Sequence, residues 1–147
     1  MSVSSKSLSI RPVTPSDARR WEALRNELWP APEGEHRGEI AAFLAHALIE
    51  PEAVLVVESH DHDLVGFVEL SGRNDLAGLE GKAVGYVEGM YVIPQYRNTG
   101  IARRLLQASR DWARDRSCEF FGSDRAERII MDPSFREKSE NAKFSRW

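Results

Sequence analysis

"GMYVIPQYRNTGIARRLL", residues 89–106, passes from an extended apolar run through a small, polar, acid-free loop into a helical pattern. Pro94 stops the strand, and Arg97, Gly100 and Ala102 punctuate the loop and the start of the helix. A helix start carries unpaired backbone N–H groups and a partial positive charge, so it is a natural seat for an anion. Gly100 and Ala102 keep side chains clear of a ligand pressed against that backbone. Arg97 and Arg103 add positive charge at either end. The stretch lacks GxxxxGK[ST], which argues against a nucleotide P-loop. Alone, R-x-x-G-x-A is a weak signal and often just a strand-to-helix turn, so its flanks must decide.

Upstream, "LSIRPV" (8–13) alternates as a strand, and "TPSD" starts a helix with Thr14 as cap, Pro15 in the first turn and Asp17 in the capping-box position. Ala18, Trp21, Leu24 and Leu28 come next at helical spacing until Trp29 and Pro30 end the run. "PAPEGEHRG" reads as a loop, and a second helix is predicted over about 37–49 with Ile40, Phe43, Leu44, Ala47 and Leu48 as its stripe. "AVLVVES" (53–59) and "LVGFVELS" (64–71) are β-rich runs joined by "HDHD". "AVGYVEGMYVI" (83–93) is a long strand in which Gly85 and Gly89 permit a bulge or a close backbone approach. From Gly100 a helix is predicted to about Arg116, with Ile101, Leu105, Ala108 and Trp112 facing inward; "CEFFGSD" (118–124) is a further strand. Strand, two helices, strand meander, helix, strand is the order of an α+β, mixed three-layer domain rather than a doubly wound sheet.

At 147 residues, with 41% hydrophobic and 29% charged residues, the chain suits one soluble domain spanning 1–147. No apolar run reaches the roughly 20 residues of a membrane helix, and "MSVSSKSLSIRP" lacks the apolar centre of a secretory signal. The lone Cys118 fits a reducing cytoplasm and reads as a packing residue. Net charge is −3, but residues 1–90 carry 15 acids against 8 Lys or Arg, whereas 91–147 carry 8 against 12. The first part therefore suits a cationic partner and the second an anionic one, unless the asymmetry is mere surface decoration. His60-Asp61-His62-Asp63 reads as a solvated turn rather than a metal site. Arg103, Arg104, Arg110, Arg114 and Arg116, interleaved with Asp111 and Asp115, read as a solvated helix face with i,i+4 pairs rather than a nucleic-acid stripe.

With these flanks, "YVEGMYVIPQYRNTGIARRLL" (86–106) resembles the acetyl-CoA-binding core of the GNAT superfamily of N-acetyltransferases. That family's signature, Q/R-x-x-G-x-G/A, comes after a bulged strand and opens a helix, and the match falls on Arg97, Gly100 and Ala102. Four stretches in unbroken order are similar to the aminoglycoside 6′-N-acetyltransferases in particular. They are "LRNELWP" (24–30), "GFVELSGRND" (66–75), the run from Glu88 to Ala102, and Ser123-Asp124 at a strand end. The resemblance implies a GNAT-type three-layer α/β/α domain with a mixed, largely antiparallel central sheet. It implies acetyl-CoA as cosubstrate, an aminoglycoside amine (at the 6′ position) as acceptor, direct transfer in a ternary complex, antibiotic resistance as the outcome, and no metal. The loop amides of Asn98, Thr99, Gly100, Ile101, Ala102 and Arg103, with Arg97, would hold the coenzyme pyrophosphate. Met90, Tyr91 and Val92 would pair with the pantetheine like an added strand. Trp29 would face the aminosugar, and Glu88 and Asp124 would bind its ammonium groups and serve as the catalytic carboxylates. A homodimer is compatible with the resemblance; nucleic acid and membrane are not expected partners.

Amine acetylation needs such carboxylates. A primary amine arrives as R–NH₃⁺ and becomes nucleophilic only when a carboxylate, or a water it holds, takes a proton. Charge-assisted hydrogen bonds can hold the remaining ammoniums. Past Asp124 the similarity stops: "RAERIIMDPSFREKSENAKFSRW" lacks the relatives' "ALGF" and a late tyrosine, so 125–147 reads as an atypical or truncated ending. The relatives' aromatic in the 72–82 loop is also absent, since Leu76 comes directly after Asp75. Two alternatives stay open on the sequence: acetylation of another amine such as a polyamine or peptide N-terminus, and a coenzyme-binding protein without turnover.

Overall fold

The computed structural model describes residues 8–48, 50–125 and 128–135. β1 (Ser9–Pro12) leads through a 3-10 turn, Pro15–Asp17, into α1 (Ala18–Leu28) and then α2 (Glu35–Leu44). β2 (Ala53–Glu58), β3 (Leu64–Arg73) and β4 (Val84–Val92) form a meander, after which come a second 3-10 turn, Pro94–Tyr96, and α3 (Ile101–Asp115). β5 (Phe120–Arg125) and β6 (Arg128–Met131) complete a sheet ordered β1-β2-β3-β4-β5-β6. Among the described residues only β4 and β5 run parallel, because α3 crosses over between them; every other neighbouring pair is antiparallel.

Strand alternation divides the apolar side chains between the two faces of the sheet. Val54, Val56 and Phe67 meet Trp21 and Leu24 of α1 and Ile40 of α2. On the opposite face, Val57, Val68, Leu70, Val87 and Phe121 meet Ile101, Leu105 and Ala113 of α3. This is the expected three-layer α+β arrangement. Among the described residues no helix is long and apolar enough to cross a membrane.

Three expectations need correction. Helix α2 ends at Leu44 rather than near residue 49, so Ala47 and Leu48 are not part of a helical stripe. His46 takes a left-handed φ of 58°. Its N–H bonds the Phe43 carbonyl while the Ala47 N–H bonds that of Ala42, a Schellman ending without its usual glycine. Ser117, with φ 61°, ends α3 in the same way, so β5 starts two residues later than expected. The inward face of α3 is Ile101, Leu105, Ser109 and Ala113, with Ala108 and Trp112 only half-buried. Small residues are required there because a Cβ on Gly85 would sit 2.5 Å from the Ala113 Cβ. Within the 125–147 ending, Arg128–Met131 forms β6, which pairs with β5 from Gly122↔Met131 onward. Residues 126–127 and 136–147 of that ending lie outside the described residues.

Two contacts locate α1 against the sheet. At its start, the Arg11 guanidinium donates to both Asp17 oxygens at 2.8 and 3.0 Å, and the Thr14 N–H donates to the same carboxylate at 2.7 Å. Arg11 above all, then Thr14, holds the Asp17 carboxyl below its ordinary value of 3.8 despite burial. At its end, the Trp29 indole lies directly on Gly89 of β4: a Cβ there would be 2.2 Å from Trp29 Cη2.

Each contact carries a measurable consequence. Because the folded Asp17 titrates below the unfolded one, its stabilisation is complete above the ordinary carboxyl range and is lost as pH falls through the folded value. Thermal melts of the parent and Asp17→Asn should therefore differ at neutral pH and converge as pH falls through the lowered carboxyl value. A gap that persists unchanged in acid would show the stabilisation to be non-ionic. Replacing Gly89 with Ala should cost about 1–3 kcal/mol in urea melts by forcing Trp29 off the strand. In a Trp29→Ala background the same replacement should cost clearly less, and equal costs in both backgrounds would rule out the contact as the reason for glycine.

Candidate active site

The site is built around an irregularity in β4. Along the β3–β4 ladder Glu69 pairs with Gly89 and Leu70 with Val87, leaving Glu88 as an extra residue, a β-bulge. On the other edge of β4, parallel pairing with β5 runs from Val84↔Phe120 to Val87↔Ser123 and ends there. From the bulge to Val92, β4 therefore has β3 on one side and no paired strand on the other. Ile93 directs its N–H to β3, so by alternation the backbone groups of Met90 and Val92 face the open edge, where an extended ligand can pair with them, while Tyr91 faces β3.

The same strand leads into the anion seat. Ile93 still bonds the Val65 carbonyl at 2.9 Å, and the Pro94–Tyr96 turn then swings the chain toward α3. Asn98 (φ 63°) and Gly100 (φ 88°) take left-handed conformations, a backbone shape that only glycine adopts freely. The Thr99 hydroxyl donates to the Tyr96 carbonyl at 2.5 Å, and Arg97 Nε donates to the Val92 carbonyl at 2.8 Å. The Arg97 guanidinium lies 5.3 Å from the Tyr91 ring centre, and its residue is exposed. Helical bonding starts with the Arg104 N–H on the Gly100 carbonyl, so the N–H groups of Ile101, Ala102 and Arg103 have no intrahelical acceptor. A Cβ on Gly100 would meet nothing within 4 Å, so the approach to these amides is open.

On the α1 side of the bulge, Glu88 is held rather than free. Arg73 Nε donates to Glu88 Oε2 at 2.9 Å and Arg73 Nη2 to Oε1 at 2.7 Å, in a bidentate pair. Glu88 above all holds the Arg73 guanidinium above its ordinary value. That guanidinium also sits 4.4 Å from the Tyr86 ring centre and 3.6 Å from Glu50. Each carboxylate oxygen has a second lone pair, so Glu88 can still accept from a water or an ammonium. Trp29 reaches the same place from α1 through its contact with Gly89, the residue after Glu88. Asp124 comes after Ser123, the last β5 residue paired with β4, and its backbone lies where the two strands part. The Asp124 side chain lies outside the described residues.

Behind Trp29 is a polar cluster that sequence reasoning does not single out. Glu69 is 1% exposed and accepts from Arg25 Nε at 2.7 Å, Arg25 Nη2 at 3.1 Å and Trp21 Nε1 at 3.0 Å. Arg25 Nη1 also reaches Glu39 at 2.8 Å and His36 Nδ1 at 3.2 Å. Burial works against the Arg25 charge, but Glu69 and then Glu39 outweigh it and raise the guanidinium above its ordinary value. Arg73 and Glu69 both lie within "GFVELSGRND", where an acid in an apolar run is the available signal.

The remaining candidates fall elsewhere. Cys118 lies between α3 and β5, beside the start of β4, and burial pushes its thiol up. Arg110 is buried near Asp132, Arg104 donates to the Leu8 carbonyl, and Arg114 stacks on Phe135 at 4.7 Å. The expected solvated arginine face is thus largely occupied by contacts within the fold. His62 pairs with Glu58 in the β2–β3 turn, and among the described residues no group of three or more His, Cys, Asp or Glu could hold a metal.

A splayed bulged strand leading to an open helix start, with carboxylates beside it, can be compared with known proteins. The model of the Acetyltransferase (GNAT) family matches residues 21–137. An aminoglycoside N(6′)-acetyltransferase type 1 of Klebsiella aerogenes is 40% identical over 118 residues, 78% of this chain and 76% of that protein. One from Stenotrophomonas maltophilia is 39% identical over 117 residues, 79% and 74% of the two chains. The crystal structure of the aminoglycoside antibiotic 6′-N-acetyltransferase AAC(6′)-Ih from Acinetobacter baumannii superimposes with a TM-score of 0.72 at 32% identity, covering 81% of this chain and 80% of that one. AAC(6′)-Iy in complex with the bisubstrate analog CoA-S-monomethyl-acetylneamine superimposes with a TM-score of 0.71 at 28% identity, with the same coverage. By sequence over most of its length, and by a fold that agrees with it, this chain belongs to the acetyltransferase (GNAT) family.

Proposed function

We propose that this protein transfers the acetyl group of acetyl-CoA to an aminoglycoside, at the 6′-amine, and so confers resistance. The observation that carries the reading is the parting of β4 from β5 at Glu88. It sets an anion-binding helix start on one side and a tryptophan with carboxylates on the other, so both substrates can meet across one strand. The 6′-acetyltransferases of Klebsiella aerogenes and Stenotrophomonas maltophilia, similar over three quarters of their length, supply the acceptor class. Use of acetyl-CoA and the single unpaired cysteine fit a cytoplasmic enzyme.

In this reading the amides of Asn98 to Arg103, with Arg97 beside them, hold the pyrophosphate, while Met90 and Val92 offer backbone partners to the pantetheine. Trp29 packs against the aminosugar, and Glu88 and Asp124 attract its ammonium groups. Glu88, held in place by the bidentate contact with Arg73, holds the water that takes the amine proton. The freed amine forms its bond to the thioester carbonyl carbon, N–H groups near Tyr91 and Val92 receive the developing oxyanion, and the C–S bond breaks. No tyrosine is needed for departure, because a thiol of pKa about 8.5 leaves as thiolate and takes a proton from solvent.

Incubation with acetyl-CoA and a panel of aminoglycosides should give products heavier by one acetyl group, at the 6′-nitrogen by fragmentation. Acetylation confined to polyamines or peptides would replace the proposed substrate, and binding without turnover would replace the activity. Glu88→Gln should lower kcat and alter its acid limb, whereas Asp124→Asn should chiefly raise KM for the aminoglycoside; the reverse pattern exchanges their roles. Gly100→Val should weaken acetyl-CoA binding about tenfold or more, because a β-branched residue resists a left-handed φ and crowds the amides. Unchanged affinity in calorimetry would remove the loop from the coenzyme site.

A further inference from the structure

Trp29 is fixed by more than its packing on Gly89. Its N–H donates to the Arg25 carbonyl at 2.7 Å, closing the last turn of α1. Its own carbonyl lies 2.6 Å from His36 Nε2, in the first turn of α2. A carbonyl oxygen can only accept, so Nε2 carries the hydrogen. The other ring nitrogen, Nδ1, faces Arg25 Nη1 at 3.2 Å, and a guanidinium can only donate, so Nδ1 is the acceptor. One neutral tautomer of His36 satisfies both partners. The ring is nearly buried, at 6% exposure, and Arg25 in turn places its guanidinium 5.3 Å from the Trp29 ring centre. Backbone and indole are thus tied through the same two residues, neither of which lies along the opened edge of β4.

We propose that His36 is a positioning residue for the acceptor: bridging the Trp29 carbonyl and the Arg25 guanidinium, it sets the Trp29 indole on the β4 bulge before substrate arrives. This rests on the reading of Trp29 as the aminosugar wall. The device is pre-organisation, since a wall already in place does not have to be ordered when the drug binds. A glutamine can reproduce both roles of the ring, donating through its amide nitrogen and accepting through its oxygen, whereas leucine fills similar space and does neither.

Steady-state kinetics of the full chain with acetyl-CoA and an aminoglycoside test the idea. His36→Leu should raise the aminoglycoside KM about tenfold while leaving the acetyl-CoA KM and kcat within about twofold, and His36→Gln should restore most of the loss. His36→Asn, polar but too short to bridge both partners, should behave like the leucine variant and serves in its place should that one not fold. An unchanged aminoglycoside KM, an equal rise in both KM values, or a glutamine variant no better than leucine overturns the positioning role while the proposed activity stands. A parent protein that acetylates no aminoglycoside overturns the activity, and this inference with it.

Discussion

The site depends on one extra residue in one strand. Without Glu88 as a bulge, β4 would keep its alternation and its pairing with β5 to the end, and Met90 to Val92 would be an ordinary interior rung. The bulge bends the strand where the parallel ladder stops at Val87↔Ser123, and it brings two successive residues, Glu88 and Gly89, to serve the α1 side. Each then has a dedicated neighbour: Arg73 grips Glu88, and Trp29 covers Gly89. Since β4 feeds directly into the turn before α3, the bend also determines where the open helix start lies relative to the unpaired edge.

Such an irregular strand needs rigid support, and a buried charge cluster lies behind it. Glu69 is the register partner of Gly89, so the Arg25–Glu69 pair sits immediately beneath the bulge. Burying two charges costs several kcal/mol per ion unless geometry and further hydrogen bonds compensate. Here both Glu69 oxygens are occupied, by Arg25 and the Trp21 indole, and the other arm of Arg25 is shared by Glu39 and His36. A cluster satisfied at so many points tolerates few alternative arrangements. It links α1, α2 and β3 at the point where Trp29 must be held.

The strands and the anion seat are legible in the sequence because their signals are local. β-rich apolar runs mark β2 to β4, Pro94 marks the end of β4, and Gly85 and Gly89 announce close approaches that Ala113 and Trp29 indeed make. Helix ends are less legible where His46 and Ser117 take the left-handed position usually given to glycine. Glu69 is hidden for a different reason. It is a lone acid in an apolar run, and only the fold reveals the arginine 44 residues earlier that offsets the cost of its burial. Glu88 stands out in the sequence as an acid in an apolar strand, yet its partner Arg73 becomes visible only once β3 and β4 are paired.

The ending meets a physical demand that the sheet sets. An uncovered β5 would leave an open row of backbone donors and acceptors beside the site. "RIIM" covers that edge as β6, within the stretch that the family model matches. The chain then turns back: the Asp132 N–H bonds the Phe121 carbonyl, and Asp132 Oδ1 accepts from the Ser134 backbone and hydroxyl. Phe135 stacks on Phe121 at 5.6 Å beneath α3, with Arg114 over its other side and Arg110 3.6 Å from Asp132. The described bases of α3 and of the loop before it are not all placed alike. Arg110 and Arg114 are engaged by the returning chain, while Arg97 and Arg103 remain exposed beside the helix start. Those two exposed arginines add positive charge where the open amides of the helix start already favour an anion.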